Sequence, residues 1–151
     1  MMTINQLQDQ LIEEFELFEN DWDGKYDYII DMGKKLKGLP DESKSESNKI
    51  KGCQSNVWLT SSVDSAGTIH FEGDSDAIIV KGLVAMLIRV MSGHGAQEIA
   101  NADLYFIEKI GLSRHLAQTR SNGLLSMVKQ MKFYGLAYGT PVSYTHLRAH
   151  E

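Results

Sequence analysis

Thiols are almost absent from this chain: of its 151 residues only Cys53 is a cysteine. One cysteine excludes an internal disulfide, so nothing in the sequence asks for an oxidising compartment, and a cytoplasmic location is expected. It also excludes a four-thiolate zinc or iron–sulfur site, and so a self-contained cluster scaffold, built from one chain. Clustered positive charge is lacking too. The formal net charge is -5, and no lysine or arginine block stands ready to displace phosphate counterions, which argues against nucleic-acid binding. The longest apolar stretch, Ala77 to Met91, is interrupted by Lys81, Gly82 and Arg89, and no basic segment leads into an apolar one at the N-terminus. Neither a membrane span nor a signal peptide is expected.

What is present is the composition of one ordinary soluble domain, 42% hydrophobic and 23% charged. Ile4, Leu7, Leu11, Phe15 and Phe18 recur at helical spacing, and Thr3 with Gln6 has the form of a capping box. Tyr26, Ile29, Ile30 and Met32 mark a second helix ending near Lys37 and Gly38, with Pro40 beyond, and the pair is expected to form a hairpin. Asp41 to Asn48 is polar and aperiodic, a solvated connector without a chemical role.

From Val57 the period changes to two: Val57, Leu59, Ser61 and Val63 alternate with Trp58, Thr60 and Ser62. Asp64-Ser65-Ala66-Gly67 supplies a turn, and alternation resumes from Thr68 to Glu72, predicting a β-hairpin. Asp74 or Ser75 can cap a helix running from about Asp76 to Met91, and Gly82 inside it suggests close packing on a neighbour. After the Gly93-His94-Gly95 loop, short helical pieces are expected around Ala96–Ala100 and Leu104–Ile110, then a last helix from about Ser121 to Tyr138. Helices flanking one antiparallel hairpin define an α+β class. Residues 1–140 are read as a single domain, and 141–151, with neither period nor cap, as a disordered tail foreign to the native gene.

Cys53 lies in Ile50-Lys51-Gly52-Cys53-Gln54-Ser55-Asn56, between the polar connector and the first strand. Gly52 lets the backbone bend and leaves the sulfur sterically open, while Gln54 and Ser55 surround it with polar groups. Lys51 is placed to favour the thiolate. On residue physics alone two readings stay open: a reactive thiol, or a small buried hydrophobe in a non-catalytic binding module.

The segment from Ile50 to Trp58, then Gly73-Asp74-Ser75-Asp76-Ala77-Ile78-Ile79-Val80-Lys81-Gly82-Leu83, then Ser113-Arg114-His115-Leu116 and Arg120-Ser121-Asn122-Gly123-Leu124, resemble in order the SufE family of sulfur acceptors. The resemblance runs from about the first helix to Tyr138. It implies an α+β fold like that of the iron–sulfur scaffold proteins. It also implies a pyridoxal-phosphate cysteine desulfurase of the SufS type as donor, a SufBCD scaffold complex as acceptor, and Cys53 as the persulfide carrier. No cofactor is expected on this chain itself.

Arg120 matches the arginine of the family's Arg-Ser-x-Gly-Leu motif, which gives it a part in positioning the active loop or meeting the partner. A positive charge just before a helix is not favoured by the dipole, so a specific contact is expected to hold it. Gly52, Gln54, Ser55, Asp74 and Asp76 are the other supporting candidates, although helix capping by itself would account for the two aspartates. His70, His94 and His115 share no spacing and are read as structural, with His94 on a mobile glycine-flanked loop. No general base or oxyanion hole has a signature near Cys53, so a cysteine hydrolase is disfavoured. Because an exposed thiolate oxidises, the free protein is expected to shield Cys53 in an apolar cavity and release the loop on docking.

Overall fold

The computed structural model describes residues 1–139; the proposed tail at 141–151 lies outside them. The chain folds as α1 (Ile4–Glu16), α2 (Trp22–Lys35), β1 (Val57–Val63), β2 (Thr68–Ser75), α3 (Ile78–Met91), β3 (His94–Gly95), α4 (Ala96–Ala100), α5 (Phe106–Ile110), α6 (Leu112–His115) and α7 (Gln118–Gly139). This is the expected α+β class, with a three-stranded antiparallel sheet in the order β1-β2-β3 and helices packed on it. Among the described residues no helix is long and apolar enough to cross a membrane.

The capping box at the start of α1 is formed on both sides: the Gln6 amide donates to Thr3 Oγ1 at 3.1 Å, and the Thr3 amide to Gln6 Oε1 at 2.9 Å. The first two helices are less of a hairpin than expected. They meet where Phe15 packs edge-on against Tyr28, ring centres 5.1 Å apart, but α2 lies chiefly along α3. Glycine is the reason. A Cβ on Gly82 would fall 2.2 Å from the Ile29 carbonyl oxygen, and one on Gly33 2.7 Å from the Gly82 nitrogen, so two side-chain-free patches let these backbones nearly touch. α3 is buried on several faces, with Leu83, Met86, Leu87, Val90 and Met91 almost wholly enclosed.

The hairpin register is Val57↔Ser75 through Val63↔Ile69, and its turn is held by Asp64, whose Oδ1 accepts from the Ala66 and Thr68 amides. β2 runs three residues past the predicted end because pairing with β1 continues to Ser75. The helix that follows begins at Ile78 with Ala77 in the cap position and no side-chain cap bond, which corrects the capping role expected of Asp74, Ser75 and Asp76. The polar connector contains two 3₁₀ turns, Asp41–Ser43 and Glu46–Asn48. The His94 segment also departs from expectation. His94 is buried and pairs with Ile69 as β3, so it is part of the sheet and not a mobile loop.

Candidate functional site

Cys53 sits at the tip of a loop that closes back on itself. Before it, Lys49 bridges Trp58 and the buried Ile50 donates its amide to the Val57 carbonyl at 2.8 Å. After it, Asn56 is clamped by Asp76: the Asn56 amide donates to Asp76 Oδ1 at 3.2 Å and its Nδ2 to Oδ2 at 2.7 Å. Ser75 Oγ adds a bond to the Asn56 carbonyl at 2.7 Å. Residues 51 to 55 therefore form a short strap between two fixed points.

That strap crosses α7 on two small residues. Gly52 takes φ +89°, a left-handed conformation that favours glycine, and a Cβ there would lie 2.7 Å from Ser126 Oγ. One residue on, the Cys53 sulfur rests on Gly123, with its thiol donating to the Gly123 carbonyl at a sulfur–oxygen distance of 3.6 Å. On either side of the strap is open volume. A cleft of about 260 Å³ has a buried apolar floor of Val80, Leu83 and Met127 and an exposed polar mouth of Gln54, Thr119 and Arg120. Behind the strap a second hollow of about 430 Å³ runs along Ser126, Gln130 and Tyr134.

Cys53 is half-buried, and burial pushes its thiol above the ordinary value. This corrects the expected influence of Lys51, which is exposed beside the thiol and does not offset desolvation. Among the described residues no group of three or more His, Cys, Asp or Glu side chains is arranged to hold a metal ion.

The structure brings Cys53, Gln54, Ser55 and Arg120 to one cleft, with Gly52 shaping the strap. Arg120 lies inside the first turn of α7, because the helix starts at Gln118 and the Ser121 amide already donates to the Ala117 carbonyl. The helix therefore begins three residues before the expected start at Ser121. The contact expected to hold Arg120 is absent: among the described residues its guanidinium has no carboxylate partner, and it stands exposed at the cleft mouth. The Gln54 amide is likewise exposed without a hydrogen bond among the described residues.

The two aspartates divide. Asp76 anchors the strap through Asn56, whereas Asp74 is buried away from the cleft lining. Asp74 accepts from the Leu39 amide at 3.0 Å and the Ser75 amide at 2.8 Å, and pairs with Lys44 and Lys81 at 3.4 Å each. None of the three histidines lines the cleft: His70 pairs with Asp64, His94 is in the sheet, and His115 stacks on Trp22 with ring centres 3.8 Å apart. Met127, Thr119 and Ser126 escaped the sequence reading, since a helical period marks Met127 as core and shows nothing of what crosses it.

The molecule is thus a small α+β domain that presents one thiol on a strap over a half-apolar cleft. The family model for the SufE domain, described as Fe-S metabolism associated, matches residues 9–134. An uncharacterized SufE-like protein of Rhizobium etli is 47% identical over 128 residues, covering 82% of this chain and 86% of that one. A second uncharacterized SufE-like protein, from Rhizobium meliloti, is 42% identical over 128 residues, covering 82% and 91%. In fold the chain is similar to the solution structure of a hypothetical protein from Thermus thermophilus, with TM-score 0.69, 16% identity, and coverage of 86% of this chain and 93% of the other. The chain belongs to the SufE family, and so to iron–sulfur metabolism.

Proposed function

We propose that Cys53 is a sulfur carrier: it accepts a sulfur atom as a persulfide from a SufS-type cysteine desulfurase and delivers it to an iron–sulfur scaffold of the SufBCD type. The observation that carries this reading is the seat of the thiol, which is half-buried over the cleft yet mounted on a strap whose backbone is anchored at its two ends. An inert core cysteine needs no strap.

The reaction follows from thiol exchange. Cys53 loses its proton, and the thiolate attacks the outer sulfur of the persulfide on the desulfurase cysteine. A new sulfur–sulfur bond forms at Cys53, the old one breaks, and the desulfurase thiolate leaves with the bond's electron pair. The same exchange, with Cys53 now the leaving group, passes the sulfur on. Pyridoxal phosphate serves on the desulfurase, and this chain carries its cargo without a cofactor. It acts in the cytoplasm, as an accessory to another enzyme's turnover.

Gly52, Gln54, Ser55 and Asp76 shape and anchor the moving segment, while the exposed Arg120 at the mouth meets the docking partner. The apolar floor shields the resting thiol, and docking draws the strap out. Draining the desulfurase persulfide speeds its next cycle, so alanine release from free cysteine should accelerate when this chain is added. Cys53→Ser should give no acceleration. Equal rates with both proteins would support the alternative, a non-catalytic binding module with an inert cysteine.

A further inference from the structure

The strap touches α7 where Gly123 and Ser126 lie under Cys53 and Gly52, and the Gly123 contact decides what form of the sulfur the strap can hold down. A Cβ on Gly123 would come within 3.3 Å of the Cys53 sulfur, tighter than an ordinary van der Waals contact, so a side chain here would push the sulfur a few tenths of an ångström off its seat. The Gly123 carbonyl offers only an acceptor. A thiol satisfies it by donating its proton; a thiolate at the same distance would set a negative sulfur against a negative oxygen.

We propose that Gly123 is the positioning residue of this carrier, a latch that holds Cys53 in its protonated, unreactive form, so that deprotonation and release of the strap occur together. The inference rests on the reading of Cys53 as the transfer thiol and adds how that thiol is kept silent between partners. The neighbouring charges leave the latch in place. Among the described residues Arg120 is the one charged side chain lining the cleft, and it is exposed. Lys51 points from an exposed position of the strap, and the Asp76 carboxylate is occupied by Asn56. The buried floor of Val80, Leu83 and Met127 offers a thiolate no donor, and among the described residues the polar groups lining the cleft, Gln54, Ser55, Thr119 and Arg120, make no hydrogen bond to the seated sulfur. The thiolate therefore forms on a lifted strap, where water or a partner's donors can solvate it.

The test is the rate of Cys53 alkylation by iodoacetamide in the free, full-length protein as a function of pH, for wild type and Gly123→Ala. The variant should react about five- to tenfold faster at neutral pH, the effect of losing one hydrogen-bonded seat. Its rate midpoint should fall toward the ordinary thiol value of about 8.5. Its resistance to urea should hold or rise, since alanine is the better helix former, and a merely structural glycine would not give that combination. A cooperative urea transition like that of wild type guards against misfolding of the variant, and Gly52→Ala, strained at φ +89° and pushed off Ser126, should accelerate alkylation in the same way. Rates and midpoints equal to wild type in the folded variants would overturn the latch. No partner is needed, so faster alkylation in a protein that accepts no sulfur would uphold the latch while removing the carrier function.

Discussion

Replacing Asp74 should cost stability and leave sulfur chemistry intact, although its motif position made it a site candidate. Its carboxylate accepts two backbone amides, from Leu39 and Ser75, that lose their partner when it goes. Bonds to a charged acceptor contribute about 1.5–3 kcal/mol each. The ion pairs to Lys44 and Lys81 add less, because both lysines are about 30% exposed and screened by solvent. Desolvation of the carboxylate offsets part of the sum, leaving a net loss of about 3 kcal/mol for Asp74→Ala, or about 10 °C in melting temperature for a domain of this size. Asp74→Asn keeps shape and one acceptor, and should lose about half as much. The pH dependence has a definite sign. Burial alone would raise the Asp74 carboxyl, but the Leu39 and Ser75 amides and Lys81 outweigh it and hold the group below its ordinary value. Its contribution is therefore full above the unfolded value of about 3.9 and is lost as pH falls through the lower folded-state value. Urea denaturation of wild type and Asp74→Asn from pH 7 downward should show the gap closing only in that acid range. An unchanged urea midpoint at pH 7, or a stable Asp74→Ala that no longer takes up sulfur, would refute this reasoning.

Gly82→Ala drives a methyl into the Ile29 carbonyl across the α2–α3 contact, where backbone lies on both sides, so a loss of more than about 3 kcal/mol is expected in urea denaturation. A midpoint like that of wild type would mean the helices can part cheaply. Asp76→Ala removes the Asn56 clamp at an exposed position, and should speed Cys53 alkylation while changing stability by less than about 1 kcal/mol. Unchanged alkylation would show that the strap does not depend on that anchor.

Local patterns carried most of this fold in the sequence. The α1 capping box, the β1 boundaries, the Asp64–Gly67 turn and the close packing at Gly82 are each written in a few neighbouring residues. Longer reach was not legible. Whether Asp74 caps a helix or stays in a strand depends on β1 continuing its pairing to Ser75, and the burial of His94 depends on Ile69, far along the chain. The site divides in the same way. Cys53 with its glycine and polar neighbours is visible as a segment, and Arg120 and Gly123 as a motif, but nothing in either says that the sulfur rests on Gly123. The thiol's acidity is not legible for the same reason: Lys51 is a sequence neighbour, whereas Val80, Leu83 and Met127, which share the cleft with the sulfur, are not.

The central claim is that Cys53 carries sulfur, and intact-protein mass spectrometry tests it directly. After incubation with a SufS-type desulfurase and free cysteine, the wild-type chain should gain the mass of one sulfur atom, mapped to Cys53 and removed by a reductant. Cys53→Ser should gain none. A wild-type mass that stays unchanged while the desulfurase is demonstrably loaded with persulfide would contradict the account.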